Sequence, residues 1–540
     1  MRAVLRHLVA LQMIAALWAA PSRFTFERGL MGTRFAITCH GEDEAVAKAA
    51  ADEAFKLAGE IEAVASDYIA DSELLRLSQG TAGRPVALSP RLFDLLEKSI
   101  GFAGRTDGRF DPTMGPLTRL WREARRRGEL PEPAVLESAR SACGWKLLEL
   151  DEGTRTATLG HDGMRLDLGG IAKGYTADAM FELMRSRGFA STCIAAGGDL
   201  RLGDPPPGKR GWSVGVRTLQ KDDLSGQLEL SNCAVSTSGD LQQRIEIDGV
   251  GYSHIIDPST GLGLTRHLAV TIVAADATTS DALATAACTV DGSMVEALAK
   301  QWGAREVMAE GTVRFMSWNL HHGVGEDGKL DLERIASVIR AQAPDVVVLQ
   351  EVDNRCRRSG NVDQAAELAR LTGMHGAFGK AIDHDGGEYG HAILSKGKLG
   401  ATAVHRLPGD GEPRIAFEAT ASVAGKPVRV VSVHLDHQDE ERRLGQAVAL
   451  AGMLGDTTGP MIVGGDFNDI PGSETLKKVG SLGAAVDKSG ARLTQPARAP
   501  KVEIDHVFVR RLKPVAPARV VPDAIASDHR PVVVELMSDP

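Results

Sequence analysis

In the second half of the chain, oxygen and imidazole side chains stand at the ends of short apolar runs. Asn319 follows Met316-Ser317-Trp318, and Glu351 follows Val348-Leu349-Gln350. His434 and Asp436 follow Val431-Ser432-Val433, and Asp466 and Asn468 follow Val463-Gly464-Gly465. Asp505 lies in Glu503-Ile504-Asp505-His506, while Asp528 and His529 precede Arg530-Pro531. Asn319 and Glu351 offer oxygen ligands of the kind Mg²⁺ or Mn²⁺ takes. An imidazole oriented by a carboxylate, as His529 would be, takes a proton from water attacking phosphorus. Asp466 and Asn468 can hold the nucleophile and a phosphate. One Asp after a strand is a turn former. A series of such ends places these groups along one rim of a sheet.

The first half carries a different set. Arg109-Phe110-Asp111-Pro112-Thr113-Met114 is one polar segment. Asp167-Leu168-Gly169-Gly170-Ile171-Ala172-Lys173-Gly174-Tyr175 is a second, and it leads into a helix expected over 176–185. Glycines before a helix N-terminus suit an anion. Ala196-Gly197-Gly198-Asp199 and Ser236-Thr237-Ser238-Gly239-Asp240 suit a flavin or nucleotide lying against backbone. Ser253-His254-Ile255-Ile256-Asp257 precedes Thr279-Ser280-Asp281, with Thr285 four residues on. On a helix, Asp281 and Thr285 share a face, and a carboxylate beside a hydroxyl suits Mg²⁺. Read alone, Asp281 is a helix N-cap.

These groups need elements to hold them. Residues 45–64 read as one long amphipathic helix. Residues 313–318 alternate as a strand, 330–342 form an amphipathic helix, and 345–349 form a buried strand. That order is a layered α/β unit. The grammar changes near 304–311, read as a short linker. No repeat of 20–50 residues occurs.

The chain has 540 residues, with 43% hydrophobic and 25% charged side chains, as in a globular protein. The net charge of −9 and the 4% aromatic content argue against a nucleic-acid coat or a base-stacking platform. Residues 312–540 carry 28 basic and 30 acidic groups, so most of the negative charge sits on the first half. The six cysteines include no C-x-x-C pair and read as buried thiols. Arg2 and Arg6 precede an apolar run from Leu8 to Ala20 that is too short to span a bilayer. Residues 1–22 are expected to be a secretory signal, making the protein exported, in the periplasm or cell envelope of a bacterium. No later segment is apolar and long enough for a membrane helix.

With Met31-Gly32-Thr33, Ser66-Asp67-Tyr68 and Asp71-Ser72-Glu73-Leu74, the segments of the first half follow one another in the order of a known family. Residues 23–305 resemble the ApbE-like FAD:protein FMN transferases. That resemblance implies Mg²⁺-dependent transfer of FMN from FAD, the substrate, to a threonine of an acceptor protein, with release of AMP. It implies metal ligation by Asp281, Thr285 and the Gly170 carbonyl. It puts Met31, Tyr68, Arg109, Phe110, Asp111, Asp167, Lys173 and Ile255 at flavin-contacting positions. Ala284 stands where some relatives carry a second carboxylate. Ser489-Gly490-Ala491 is followed by Arg492 rather than Thr or Ser, so self-flavinylation is not expected.

Residues 312–540 resemble the endonuclease/exonuclease/phosphatase superfamily. The motifs are Trp318-Asn319-Leu320-His321-His322-Gly323, Leu349-Gln350-Glu351-Val352-Asp353, His434-Leu435-Asp436, Gly465-Asp466-Phe467-Asn468 and Ser527-Asp528-His529-Arg530-Pro531. The resemblance implies a four-layer α/β/β/α sandwich, so the whole chain is of mixed α/β (α+β) class. It implies metal at Asn319 and Glu351, phosphate contact by His434, nucleophile handling by Asp466 and Asn468, and a His529 base oriented by Asp505, with Asp528 in the same motif. His391 stands where relatives commonly carry Asn. The expected substrate is a small phosphoester such as AMP or FAD, without a stable nucleic-acid complex. The alternative is an FAD-binding or FAD-hydrolysing protein whose second half is a nuclease or protein-binding scaffold.

Overall fold

The computed structural model describes residues 21–538, apart from 218, 220–223, 241–243, 248–249, 291–293, 424–425 and 456–457. The signal reading therefore lies almost wholly outside the described residues. Strands β1 (Ser22–Leu30) and β2 (Thr33–Gly41) form a hairpin in which Leu30 pairs with Thr33. Met31 and Gly32 both have positive φ, +49° and +67°, as a two-residue type I′ turn requires. Helix α1 (Glu44–Ala65) starts at Asp43, whose carboxylate accepts from the Ala45 and Val46 N–H groups. Its buried stripe is mostly alanine, from Ala47 through Ala58, so it lies close on helix α2 (Ala172–Ser186).

The first sheet grows strand by strand in chain order: β3 (Thr192–Ala196), β4 (Asp199–Leu202), β5 (Cys233–Gly239), β6 (Leu268–Ala274) and β7 (Glu306–Asn319). Helix α3 (Ala277–Cys288) packs across β5 and β6. Asp276, not Asp281, caps this helix, accepting from Thr279 N. Asp281 lies in its second turn, buried. The cap expected at Asp281 is corrected to the acceptor five residues earlier.

Residues 306–311, read as a linker, are the first half of β7. They pair antiparallel with 268–273 of β6. The second half of the same strand enters another unit. There it pairs in parallel with β8 (Val346–Asn354) and antiparallel with β9 (Val532–Ser538, the last strand of the chain). One sheet thus runs through both halves. Thr312 Oγ1 donates to Glu535 at 2.6 Å, and Arg244 stands 3.4 Å from the same carboxylate.

The second half has a second sheet, in which strands Lys426–His434, Met461–Asp466 and Asp505–Arg510 are neighbours. Phe315, Val348, Phe417, Val430, Ile462 and Val507 fill the space between the sheets. The outer faces pack on helices: Trp318 and Leu349 face Ile335 and Ile339 of helix α4 (Leu332–Gln342), while Val431 and Val463 face Leu450 of helix α5 (Glu440–Gly455). Helix, sheet, sheet and helix are the four expected layers. Gly464 lets the sheets approach, since a Cβ there would meet the Phe315 ring at 2.7 Å. No helix among the described residues is long and apolar enough to cross a membrane.

Candidate active sites

In the first half, Lys173 in the first turn of α2 reaches two carboxylates. Its ammonium bonds Asp199 of β4 and lies 3.5 Å from Asp281 Oδ1. Asp281 Oδ2 accepts from the Gly174 N–H at 3.0 Å. Burial pushes the Asp281 carboxyl up to about 6, against the pull of Lys173. Burial alone would lower Lys173, but Asp281 and Asp199 together hold it above its usual range. Thr285 follows one turn after Asp281, with its hydroxyl 3.3 Å from Ser238 Oγ. A Cβ on Gly170 would sit 3.0 Å from Thr285 Oγ1, so the Gly170 backbone adjoins the hydroxyl. A carboxylate, a hydroxyl and a backbone carbonyl are oxygen donors of the type that Mg²⁺ takes. Ala284 is buried in the core, so no second carboxylate joins from that position.

A second cluster gathers around Arg122, on the helix Gly115–Arg127. Its guanidinium lies 2.6 Å from Asp67, 3.3 Å from Asp167 and 4.4 Å from the Tyr68 ring centre. Tyr68 is 74% exposed, an aromatic plate held open by that cation. Asp167 also accepts from Gly169 N at 2.8 Å. The run 167–173 therefore joins the clusters. Arg122 was not foreseen, because it sits among Arg119, Arg125, Arg126 and Arg127, a pattern that reads as a solvated face. Asp199 was noted within its segment but not as the partner of Lys173.

The other expected flavin positions are placed differently. Met31 adjoins the site through Thr176, whose hydroxyl lies 3.7 Å from the Met31 sulfur. Arg109 donates to the Thr289 carbonyl at 2.9 Å, just past the end of α3. Phe110 is buried, edge-on to Phe102. The Asp111 carboxylate is engaged by Thr113 and the Trp145 N–H, closing a turn. Ile255 packs partly buried against the main core. His254 Nδ1 is buried without a hydrogen-bond partner among the described residues. Burial, with Arg125 next, lowers its proton affinity.

In the second half the register does the gathering. His434, Asp466 and Asp505 are paired neighbours at the ends of three adjacent strands. Asn319, from the facing sheet, donates to Asp466 Oδ2 at 3.2 Å and to Glu351 at 2.9 Å. Glu351 sits at a register shift in β8 with φ +56°, a bulge that turns its carboxylate toward Asn319. His529 Nδ1 lies 2.9 Å from Asp505, while its Nε2 lies 3.6 Å from Asp466. His434 Nε2 is 3.7 Å from the same Asp466 oxygen. Burial would lower His529, but Asp505 and Asp466 outweigh it and raise its proton affinity. Burial raises Asp466. Trp318 Nε1 donates to the His529 carbonyl, and Ser527 Oγ to the Asn319 carbonyl, fastening this segment to β7.

Asn468, at φ +50°, donates its amide to the Leu435 carbonyl, and its N–H goes to Asp466. Asp528 is half-buried and accepts from Ser527, so Asp505 is the carboxylate on His529. His391 is buried and bonded to the Ser432 carbonyl at 3.1 Å. Asp466, Asp505 and His529 are close enough to hold a cation together, and Asp505 Oδ1 is buried with no hydrogen-bond partner among the described residues. Asn319 and Glu351 adjoin that group, so the donors present fit a hard divalent metal.

Two constellations, one of Lys with buried carboxylates and one of His, Asp, Asn and Glu, suit a two-unit enzyme of phosphate chemistry. Residues 31–309 match the model of the ApbE family, and residues 316–529 match that of the Endonuclease/Exonuclease/phosphatase family. The FAD:protein FMN transferase of Treponema pallidum (strain Nichols) is 35% identical over 256 residues, 44% of this chain and 70% of that one. That of Vibrio cholerae (serotype O1, strain ATCC 39541) is 33% identical over 236 residues, 43% of this chain and 70% of its own. The apo structure of Pseudomonas stutzeri flavinyl transferase ApbE aligns with TM-score 0.50 at 25% identity, over 55% of this chain and 92% of that one. The chain belongs to the ApbE family, and its C-terminal domain belongs to the endonuclease/exonuclease/phosphatase superfamily.

Proposed function

We propose that the N-terminal domain transfers FMN from FAD to a threonine of an acceptor protein and releases AMP. The carrying observation is the half-buried Lys173 held by buried Asp281 and Asp199, with Thr285 one turn away, in a chain whose relatives are named for that activity. Asp281, Thr285 and the Gly170 carbonyl would hold Mg²⁺. Bound there, the ion would neutralise charge on the pyrophosphate. Lys173 would hold the phosphate that leaves, and Tyr68 would cover the flavin. His254, with its orphaned and weakly basic Nδ1, would take the proton of the incoming threonine hydroxyl.

The C-terminal domain is proposed to hydrolyse a small phosphoester with Mg²⁺ or Mn²⁺. Asn319 and Glu351 would hold the metal, which would polarise the phosphate oxygens. His529, oriented by Asp505, would accept the proton of the attacking water that Asp466 positions. Asn468 and His434 would contact the phosphate. The protein is proposed to be exported to the cell envelope.

The test is co-incubation of the whole protein with FAD, Mg²⁺ and an acceptor carrying a flavinylation threonine. Mass spectrometry should show one FMN added to that threonine by the wild type and none by Asp281→Ala. FAD cleavage without attachment would overturn the transferase reading in favour of FAD hydrolysis.

A further inference from the structure

Arg414 lies directly before a strand of the second sheet, Ile415–Val423, and is 5% exposed. Its Nη1 lies 3.2 Å from His434 Nδ1, and its Nη2 lies 3.1 Å from His437 Nδ1. Glu412 stands 3.0 Å from Nη1 and holds the guanidinium from the other side. A guanidinium donates hydrogen bonds and accepts none. The nitrogen it faces on His434 must therefore carry a lone pair. A neutral imidazole has one N–H, so that proton sits on Nε2. Nε2 is the atom that looks into the site, 3.7 Å from Asp466 Oδ2. An imidazolium would put N–H against N–H and is disfavoured at this position.

His529 has the opposite arrangement. Its Nδ1 faces a carboxylate oxygen of Asp505, an acceptor, so the proton of the neutral ring sits on Nδ1. Its Nε2 faces Asp466, and in the neutral ring that nitrogen is the one that carries the lone pair. Two imidazoles face one carboxylate oxygen through Nε2, one backed at Nδ1 by a donor and the other by an acceptor. Sequence alone does not separate them, since both follow or precede apolar strands. The side chain behind each ring does.

We propose that Arg414 is a positioning residue that locks His434 as an Nε2–H donor toward the phosphate of the substrate. This rests on the phosphoesterase reading for its consequence, but the tautomer itself does not. A donor aimed at a phosphoryl oxygen stabilises charge that grows in the transition state. Losing the lock should therefore lower kcat more than it raises KM.

The experiment uses the full chain with ¹⁵N-labelled histidine rings, as wild type, Arg414→Lys and Arg414→Met. Long-range ¹H–¹⁵N correlation reads the tautomer of His434, assigned by the signal lost in His434→Asn. Wild type and Arg414→Lys should show the single Nε2–H form, since an ammonium also only donates. Arg414→Met, of similar length but without a donor, should show both forms. With p-nitrophenyl phosphate or its bis-ester and Mn²⁺, Arg414→Met should lose kcat in proportion to the Nε2–H form it gives up, about two-fold where the two forms are equal. KM should change by less than kcat, and Arg414→Lys should recover most of the loss. An unchanged far-ultraviolet circular dichroism spectrum and melting transition of the full chain report that the variants are folded. An Nδ1–H form in the wild type, or one unchanged tautomer in Arg414→Met, overturns the proposal. Absence of any phosphoester turnover by the wild type would sink the phosphoesterase reading instead, with the tautomer still decided by the spectrum.

Discussion

The Gly174 N–H donates to Asp281 Oδ2 at 3.0 Å, and a methyl group on residue 174 would lie 2.8 Å from Asp281 Cβ and 2.1 Å from the Ala277 carbonyl oxygen. This glycine does not clear space for a ligand. It lets α2 touch α3, so that Lys173 and Asp281 can meet. Gly174→Ala should push the helices apart. Helix propensity gains about 1 kcal/mol, but overpacking costs about 1–3 kcal/mol. We expect a lower melting temperature and loss of FMN transfer, read by calorimetry and by mass spectrometry of the acceptor.

Asp281→Asn keeps the volume and the acceptor for Gly174 while removing the charge. Burial opposes that charge, but the Lys173 ammonium loses a partner and meets an amide N–H₂, so stability should fall by about 1 kcal/mol. FMN transfer should fall by about 100-fold or more, as for loss of a group that organises phosphate charge. An unchanged transfer rate would remove Asp281 from the site.

Arg122 joins Asp67, Asp167 and Tyr68. Arg122→Ala leaves two half-buried carboxylates facing each other and an unsupported aromatic plate. The KM for FAD should rise about 10-fold, roughly the 1–2 kcal/mol of a cation–π contact with its ion pairs. Arg122→Lys should not restore it, because one ammonium cannot serve both carboxylates and the ring. Initial rates over a range of FAD concentrations decide this.

Burial lowers His391 to about 3, against about 6.5 in an unfolded chain. The unfolded state thus binds more protons between those values. The stabilising neutral form is fully favoured above pH 6.5, and stability falls as pH drops from there toward 3. The slope from this residue approaches about 1.4 kcal/mol per pH unit. His391→Asn should flatten it. Urea midpoints of both proteins at pH 7 and pH 5 measure the difference, and parallel losses would refute it.

Ser238 pairs with Val270, and Val270 with Ala309, while Asn319 lies further along the same strand. At about 3.3 Å per residue, the two sites stand on the order of 30 Å apart along β7. Asp466→Asn, in the second site, should therefore leave the rate of FMN transfer within about two-fold of wild type, since changes that far apart act independently. AMP should accumulate in step with flavinylated acceptor before any further breakdown. A matched loss of transfer in Asp466→Asn would show that the sites are coupled.

The strand-end residues of the second half were legible because their signal is local. An apolar run ending in Asp466 or His434 is a property of neighbouring residues, and the parallel and antiparallel registers then align such ends without further information. The Asp281–Thr285 pair was legible for the same reason, since one helical turn separates them. Asp276 as the true cap was missed because Thr278, Thr279 and Ser280 offer competing starts.

By itself, the sequence pointed to the fold class, the two units and the residue types available to each site, through periodicity, short motifs and the family resemblances those motifs carry. Only the tertiary structure decided what those residues do to one another. Arg122 leaves a solvated-looking helix to join Asp67 and Asp167, which are 55 and 45 positions away. Arg414 meets His434 across 20 positions and sets which ring nitrogen keeps its proton. Residues 306–311 join the two halves as one strand rather than a linker, because β6 offers a free edge to pair with. Proton placement, charge pairing and sheet continuity depend on approach to within about 3–4 Å. That approach is set by packing between elements distant along the chain.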